Sequence, residues 1–208
     1  MITTKNNREA RKAHLHTGLE VFFGCLILRT MNKKSNKPQA VKFERRVIDE
    51  VQVEPFYGID LGLPSHRLWA SMNVGASFEE DPGYMMDFDT ANAIKFKGSW
   101  HMPTKEDFKE LVDNCKSEWT LRNGVPGRTF TGKNGNSIFL PAGGWSWFDK
   151  NDESDYGTAL CRRGSGGYYW SSSYSSATHA YRLSFNSSGV YPQNIGDRRR
   201  GFTVRAVQ

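Results

Sequence analysis

The side chains best suited to recognition chemistry lie near the C-terminus. There Tyr, Arg, Ser and Asn crowd into GGYYWSSSYSSATHAYRLSFNSSGVYPQNIGDRRRGFTVRAVQ, residues 166–208. From Ser171 to Val207 the chain holds no Lys, Glu, Met or Trp, although Lys and Arg together number 28 in its 208 residues. An ordinary solvated face in such a chain carries Lys and Glu. Tyr and Arg are the anchors of recognition surfaces, and Ser, Asn and Gly the adaptable polar filler between them. The run Arg198-Arg199-Arg200 suits carboxylates or an acidic patch on a partner, and equally a solvated turn before a last strand. Composition alone also leaves open a plainer reading of the whole stretch, an edge hairpin with a polar face.

Catalytic chemistry finds less support. Cys25, Cys115 and Cys161 are odd in number and widely spaced, with no Cys-x-x-Cys pair, so neither zinc nor a disulfide framework is indicated. Cys115 falls on the apolar side of a predicted helix and reads as a small core residue. His14, His16, His66, His101 and His179 lack metal-ligand spacing, and His101 beside Trp100 reads as a hydrogen-bonded framework residue. Chain order supports no Ser/His/Asp arrangement. The expectation is a binding protein and not an enzyme, with no cofactor and no metal.

The elements that would position the binding residues follow from hydrophobic periodicity. In HAYRLSF, Tyr181, Leu183 and Phe185 alternate with Arg182 and Ser184, which predicts a strand with a buried apolar face and a polar face turned to solvent or ligand. Asn186–Gly189 reads as a turn, Gln193–Gly201 as a loop and Phe202–Val207 as the closing strand. Upstream, YGIDLGLPSHRLWASM reads as strand, turn and strand, FEEDPGY as a loop, and Thr90–Phe96 as a short helix. The clearest helix follows Pro103: Phe108, Leu111, Val112 and Cys115 form one stripe, with Thr104 as N-cap and Asp107 in the reciprocal position. After it come short strands punctuated by Asn123-Gly124, Pro126-Gly127 and Asn134-Gly135, then an apolar strand at Ser137–Leu140. Residues 149–167 read as a polar loop containing Asp149, Asp152, Glu153 and Asp155. Helices first and strands late indicate an α+β class.

Charge is unevenly placed. Residues 1–50 hold 11 Lys/Arg against 5 Asp/Glu, and the remaining 17 of each sign cancel, so the net +6 belongs to an arm. Nucleic-acid binding by the domain is therefore not expected. We divide the chain into a basic N-terminal arm and linker, 1–55, and a domain, 56–208. The apolar run GLEVFFGCLILR is too short to span a bilayer and lacks the flanks of a signal peptide; it reads as a short helix or strand, packed on the domain or on a second copy. Translation from Met31 is a further reading of the first thirty residues. NKKSN, residues 32–36, reads as linker, and Val41–Val53 as a strand or short helix.

The ordered motifs DLGLPS, LWASMNVG, GSWHMPT, NGNSIFLPAGG, GGYYWSSS and GFTVRAV together resemble a bacterial C-type-lectin-like family, the Fibrobacter succinogenes major paralogous domain, over about Tyr57–Val207. The resemblance implies an α+β C-type-lectin-like fold with its terminal strands paired, Tyr57–Leu61 beside Thr203–Val207, and a loop-rich ligand face near the C-terminus. The closing region, about 168–207, also resembles the variable region of target proteins of diversity-generating retroelements. In such regions error-prone copying at adenines alters Asn-type codons. Changes at either adenine of AAC or AAT never give Lys, Glu, Gln, Met or Trp, which matches the missing residue types; Gln193 is then an unaltered position.

On that resemblance Ala180, Tyr181, Leu183, Phe185, Gly201, Phe202, Val204 and Arg205 are framework. The variable, ligand-binding positions are Tyr174, Ser176, Thr178, His179, Arg182, Ser184, Gly189, Tyr191, Asn194, Ile195, Gly196, Asp197, Arg199 and Arg200. The function implied is calcium-independent ligand binding of a receptor or adhesin type by a diversified C-terminal surface; the alternative is an invariant structural or surface-appendage domain. Calcium binding of the lectin type is not expected, because Tyr191-Pro192-Gln193-Asn194 has the wrong order for such a loop and the acidic cluster at 149–155 lacks a partner motif. The formylglycine-generating type of enzyme needs reactive cysteines in the closing region, where Cys161 stands alone. The implied partner is a protein or cell-surface ligand, with no nucleic acid, no membrane span and a homo-oligomer through the arm as one possibility. The implied location is a cell surface or a phage tail tip.

Overall fold

The computed structural model describes residues 57–147 and 161–208, together with the backbone of two short antiparallel strands, β1 (Val21–Phe22) and β2 (Cys25–Leu26). The readings of the linker, of Val41–Val53 and of the acidic residues 149–155 lie outside the described residues.

The domain begins with a hairpin of β3 (Gly58–Asp60) and β4 (Leu68–Ala70), in which Gly58 faces Ala70. Helix α1 (Phe88–Asn92) is capped by Asp87, whose side chain accepts from Thr90 N. Helix α2 (Lys105–Asn114) starts where the capping signals place it. Thr104 Oγ1 accepts from Asp107 N at 3.1 Å, and Thr104 N donates to Asp107 Oδ2 at 2.8 Å. Two orphan donors of the first turn are thereby satisfied. Asp107 Oδ1 also lies 2.6 Å from Arg67 Nε, which ties the helix start to the β3–β4 hairpin. Thr104→Ala is expected to lower stability by about 1 kcal/mol, the usual worth of an N-cap, in a urea titration of the whole chain.

Next comes the meander β5 (Lys116–Arg122), β6 (Val125–Thr131) and β7 (Ser137–Pro141), paired in that order. Its first turn is the predicted Asn-Gly pair: Asn123 and Gly124 have φ of 48° and 81°, the left-handed region that a two-residue hairpin turn requires. A short β8 (Ser146–Trp147) follows. The chain then builds the central sheet from β9 (Gly166–Tyr174), β10 (His179–Asn186) and β11 (Val190–Asp197), ordered β11-β10-β9. Finally β12 (Arg200–Gly201) pairs back on β8, with Arg200 opposite Trp147.

Both faces of the central sheet are covered. Adjacent residues of a strand point to opposite faces, and here they enter different clusters. Tyr169, Leu183 and Phe185 pack with Trp69, Phe108, Leu111 and Phe130. Trp170 and Ala180 pack with Phe88, Phe202 and Val204. Helix α2 covers the first of these faces. Tyr181 is half-buried, with Lys105 Nζ 4.5 Å from its ring centroid.

Several expectations are corrected. The described residues are mostly β, in small sheets not closed into a barrel, with helices of only five and ten residues. The α+β C-type-lectin-like fold is therefore not the architecture found. Nor do the terminal strands pair as expected, since the final segment lies beside β4 and not beside Tyr57–Leu61. Leu68 N donates to Gln208 O, Ala70 N to Ala206 O, and Trp69 bridges Val207. The reason is burial: Trp69 and Ala70 are fully buried, whereas Gly58 and Asp60 are exposed, so β4 takes the interior place and β3 the edge. The adhesin, phage-receptor and retroelement-target roles implied by the resemblance lose their fold support with this correction.

Two local readings change as well. Val190–Asp197 is an edge strand where a loop was expected from Gln193. Phe202–Val207 is not a regular strand. It threads the interior, taking Trp170 N on Thr203 O, Val74 N on Val204 O and giving Val207 N to His101 O.

Candidate ligand-binding surface

Sheet register decides which of the predicted site residues meet. At one end of the sheet His179 pairs with Asp197, and the turn before β10 meets the turn after β11. Arg198 joins these turns: its N–H donates to Thr178 O at 3.0 Å, its Nη1 to Ala177 O at 2.7 Å, and its Nη2 to Asp89 of α1. Ser176, Thr178, His179, Asp197 and Arg199 share this end. Tyr174 lies close by, its ring edge-on to Phe88 at 4.9 Å and its hydroxyl accepting from Asn92 Nδ2.

At the other end the Asn186–Gly189 turn forms as expected, with Asn186 Oδ1 accepting from Ser188 N and Gly189 N. Tyr191 lies there beside a shallow depression of about 430 Å³ lined by Lys109, Val190, Pro192, Gln193 and Asn194. At about 3.3 Å per residue, Tyr191 and Asp197 stand roughly 20 Å apart along β11. The predicted positions are thus a strip along an edge strand and its turns, not one pocket.

Exposure sorts them further. Tyr174, Ser176, Thr178, Tyr191, Asn194, Ile195 and Arg199 are exposed, and His179, Gly189, Asp197 and Arg200 are half-buried. Arg182, Ser184 and Gly196 are buried. Of the two directions expected for Arg182 and Ser184, solvent or a ligand, open solvent is not the one found: both are buried, Arg182 against Tyr168 and Phe202. A Cβ on Gly196 would stand 2.7 Å from Phe202 Cε2 and 3.0 Å from Arg182 Cδ, so residue 196 stays small while 182 and 202 are large.

The polar groups of the strip are largely committed to one another. Asp197 accepts from Arg199 N, Nε and Nη2 at 3.0, 3.1 and 2.7 Å, and the Arg199 side chain holds this carboxyl down to about 2. Asn194 Nδ2 donates to Ser184 Oγ, and its Oδ1 accepts from Ile195 N. Ser176 Oγ and Thr178 Oγ1 both approach the same nitrogen of His179, Nδ1, at 3.5 and 2.9 Å. Away from the strip, burial pushes the Cys115 thiol up to about 11, which suits a core residue and not a nucleophile.

Two arginines stand apart from this pattern. Arg182 is 9% exposed, covers Tyr168 and Phe202 at 4.8 and 5.0 Å, and donates through Nε to Ile195 O. Arg200 covers Trp145 and Trp147 at 4.6 and 4.9 Å. Neither forms an ion pair among the described residues, whereas Arg198 has Asp89 and Arg199 has Asp197. Burial, partly offset by Tyr168 and reinforced by Arg200, draws Arg182 down to about 10, so it stays charged at neutral pH. The tryptophans escaped sequence reading, although their alternation in Trp145-Ser146-Trp147 signals two rings on one face of a strand. Their partner, Arg200, comes from 53 residues on and only pairing of β8 with β12 brings it there.

A family model described as a domain of unknown function, DUF8237, matches residues 129–207. The matched residues begin in β6 and end with the buried closing segment, so they contain the whole strip. No curated protein and no solved structure matches the chain. Among the described residues no helix is long and apolar enough to cross a membrane, and no three His, Cys, Asp or Glu are grouped to hold a metal ion.

Proposed function

We propose that the chain is a calcium-independent binding protein whose ligand surface is the strip along β11 and its flanking turns, diversified at codons built on adenine. The observation that carries this reading is the exposure of Tyr174, Tyr191 and Ile195, at 56, 51 and 46%, within a polar segment free of Lys and Glu. Exposed aromatic and apolar side chains rimmed by polar ones mark interaction sites. The length of the strip suits a macromolecular partner better than a small molecule. Calcium independence is supported by the commitments of Asp197 and Asn194, whose oxygens are already engaged by Arg199 and by Ile195 N. The buried closing segment supports diversification, because the exposed positions rest on a framework that substitution does not reach.

Sequencing the 3′ end of the gene from many cells of one population tests the reading. Substitutions are expected at the exposed codons 174, 176, 178, 191, 194, 195 and 199, matched to adenines in a near-copy of the segment close to the gene. Because of the contact between residues 196 and 182, a larger residue at 196 is expected only with a smaller one at 182. An invariant segment without a copy would sink the diversification and leave a fixed surface. In that case Tyr191→Ala with Arg199→Ala still reports on binding, because both residues are exposed and their loss is expected to shift Tm by less than a buried change does.

A further inference from the structure

Three arginines lie along one aromatic row. Arg198 sits over Phe88 and Tyr174, Arg182 over Tyr168 and Phe202, and Arg200 over Trp145 and Trp147. The rings adjoin one cluster: Tyr168 stacks on Phe202 at 5.6 Å, Trp170 lies 4.3 Å from Phe202, and Trp145, itself 5.5 Å from Trp147, packs against the same cluster as Tyr168. Arg200 and Phe202 are two residues apart, hence on one side of an extended segment.

Arg198 is neutralised by Asp89, but Arg182 and Arg200 have no carboxylate among the described residues. Both also keep a buried donor unused. Among the described residues Arg182 Nη1 and Arg200 Nε have no hydrogen-bond partner. A buried charge-bearing donor left unpaired is costly, and aromatic faces supply only part of what a guanidinium needs. Two such donors flanking one aromatic floor are complementary to a group with negative charge and at least two acceptor oxygens.

We propose that Arg182 and Arg200, on the floor formed by Tyr168, Phe202, Trp145 and Trp147, form a binding site for an oxyanion group of the ligand, a carboxylate, sulfate or phosphate. The inference deepens the binding reading by naming a ligand chemistry for this sequence variant, and it rests on that reading for the site being a ligand site at all. The anion takes Arg182 Nη1 at its inner end and the guanidinium of half-buried Arg200 at its rim. Lys does not substitute at either place, because a point charge neither stacks on the rings nor presents a planar fork.

The test titrates the full-length chain with sodium sulfate, sodium phosphate and sodium acetate, each against sodium chloride at matched ionic strength. It reads tryptophan fluorescence, to which Trp145 and Trp147 contribute, and isothermal calorimetry. A saturable response to at least one oxyanion and none to chloride is expected, and which salt responds identifies the group. Arg200→Gln is expected to weaken that binding about tenfold or more, as loss of a charge-assisted bond does. Lys116→Gln, which removes an equal charge from an exposed residue, is expected to change it by less than twofold. Arg200 is chosen because Arg182→Gln would alter a buried packing residue as well as the site.

Equal responses to all salts, or equal losses in Arg200→Gln and Lys116→Gln, would mean general screening and overturn the site. Binding seen only after Asp149, Asp152, Glu153 and Asp155 are changed to their amides would place the chain's own carboxylates there and overturn an external ligand. The two readings fail separately. Invariant codons with sulfate binding intact defeat diversification alone, and varied codons without anion binding defeat this site alone.

Discussion

Arg205→Met is expected to cost the domain about 3 kcal/mol or more, because it leaves three buried acceptors without their donor. Arg205 is fully buried, and its guanidinium gives one bond of 2.8 Å to each of three acceptors: Asn73 Oδ1, Ala70 O and Phe139 O. Those acceptors belong to the segment after β4, to β4 itself and to β7, so one side chain on the closing segment ties together strands of two different sheets. Burial draws its pKa down to about 10, against the opposing pull of Tyr169 and Glu79, so it remains charged through neutral pH. Met fills much of the volume but leaves three acceptors facing apolar atoms, at about 1–3 kcal/mol for each buried group left without a partner. Arg205→Lys is expected to recover less than half of the loss, because one ammonium cannot span three divergent acceptors. Urea denaturation of both variants measures this. A loss below about 1 kcal/mol for Arg205→Met would show that the three bonds merely replace water and do not hold the sheets together.

How far the fold could be read from sequence depended on the range of the interaction. The Thr104–Asp107 box, the Asn123-Gly124 turn and the Asn186–Gly189 turn are settled within four residues, and each is where the residues predict. Alternation in β10 separates its faces correctly, but alternation cannot say whether the second face is covered. It is covered: Arg182 lies buried against Tyr168 and Phe202, and Ser184 beside it is buried too. The neighbour of the closing segment was likewise illegible. Tyr57–Leu61 and Leu68–Ala70 are both short and apolar enough to pair with it, and only the packing of Trp69 and Phe108 decides for β4. The same limit applied to the candidate site. Tyr174, Tyr191 and Arg199 follow from composition, whereas the place of Arg200 over Trp145 and Trp147 depends on a β8–β12 pairing that no local pattern encodes.

The second large effect concerns the residue on which the strip and the framework meet. Trp170→Ala is expected to destabilise the domain by about 3–5 kcal/mol, the range for emptying a buried aromatic site. Trp170 is fully buried, lies 4.3 Å from Phe202 and 5.4 Å edge-on from Phe88, and donates Nε1–H to Met86 O at 2.9 Å. Phe88 in turn carries Tyr174, so the cavity opens directly beneath an exposed residue of the strip. Trp170→Phe separates the contributions. It keeps most of the ring contacts, and Met86 O is not orphaned because Phe202 N also donates to it at 3.0 Å. The Phe variant is therefore expected to lose only about 1–2 kcal/mol, one net hydrogen bond plus a small void. A chemical denaturation series across wild type, Phe and Ala checks the order. Equal losses for the two variants would assign the effect to the indole N–H, and would mean that the aromatic row contributes little to holding the strip in place. A graded series would instead show that ring packing fixes the platform from which Tyr174 and Arg198 are presented.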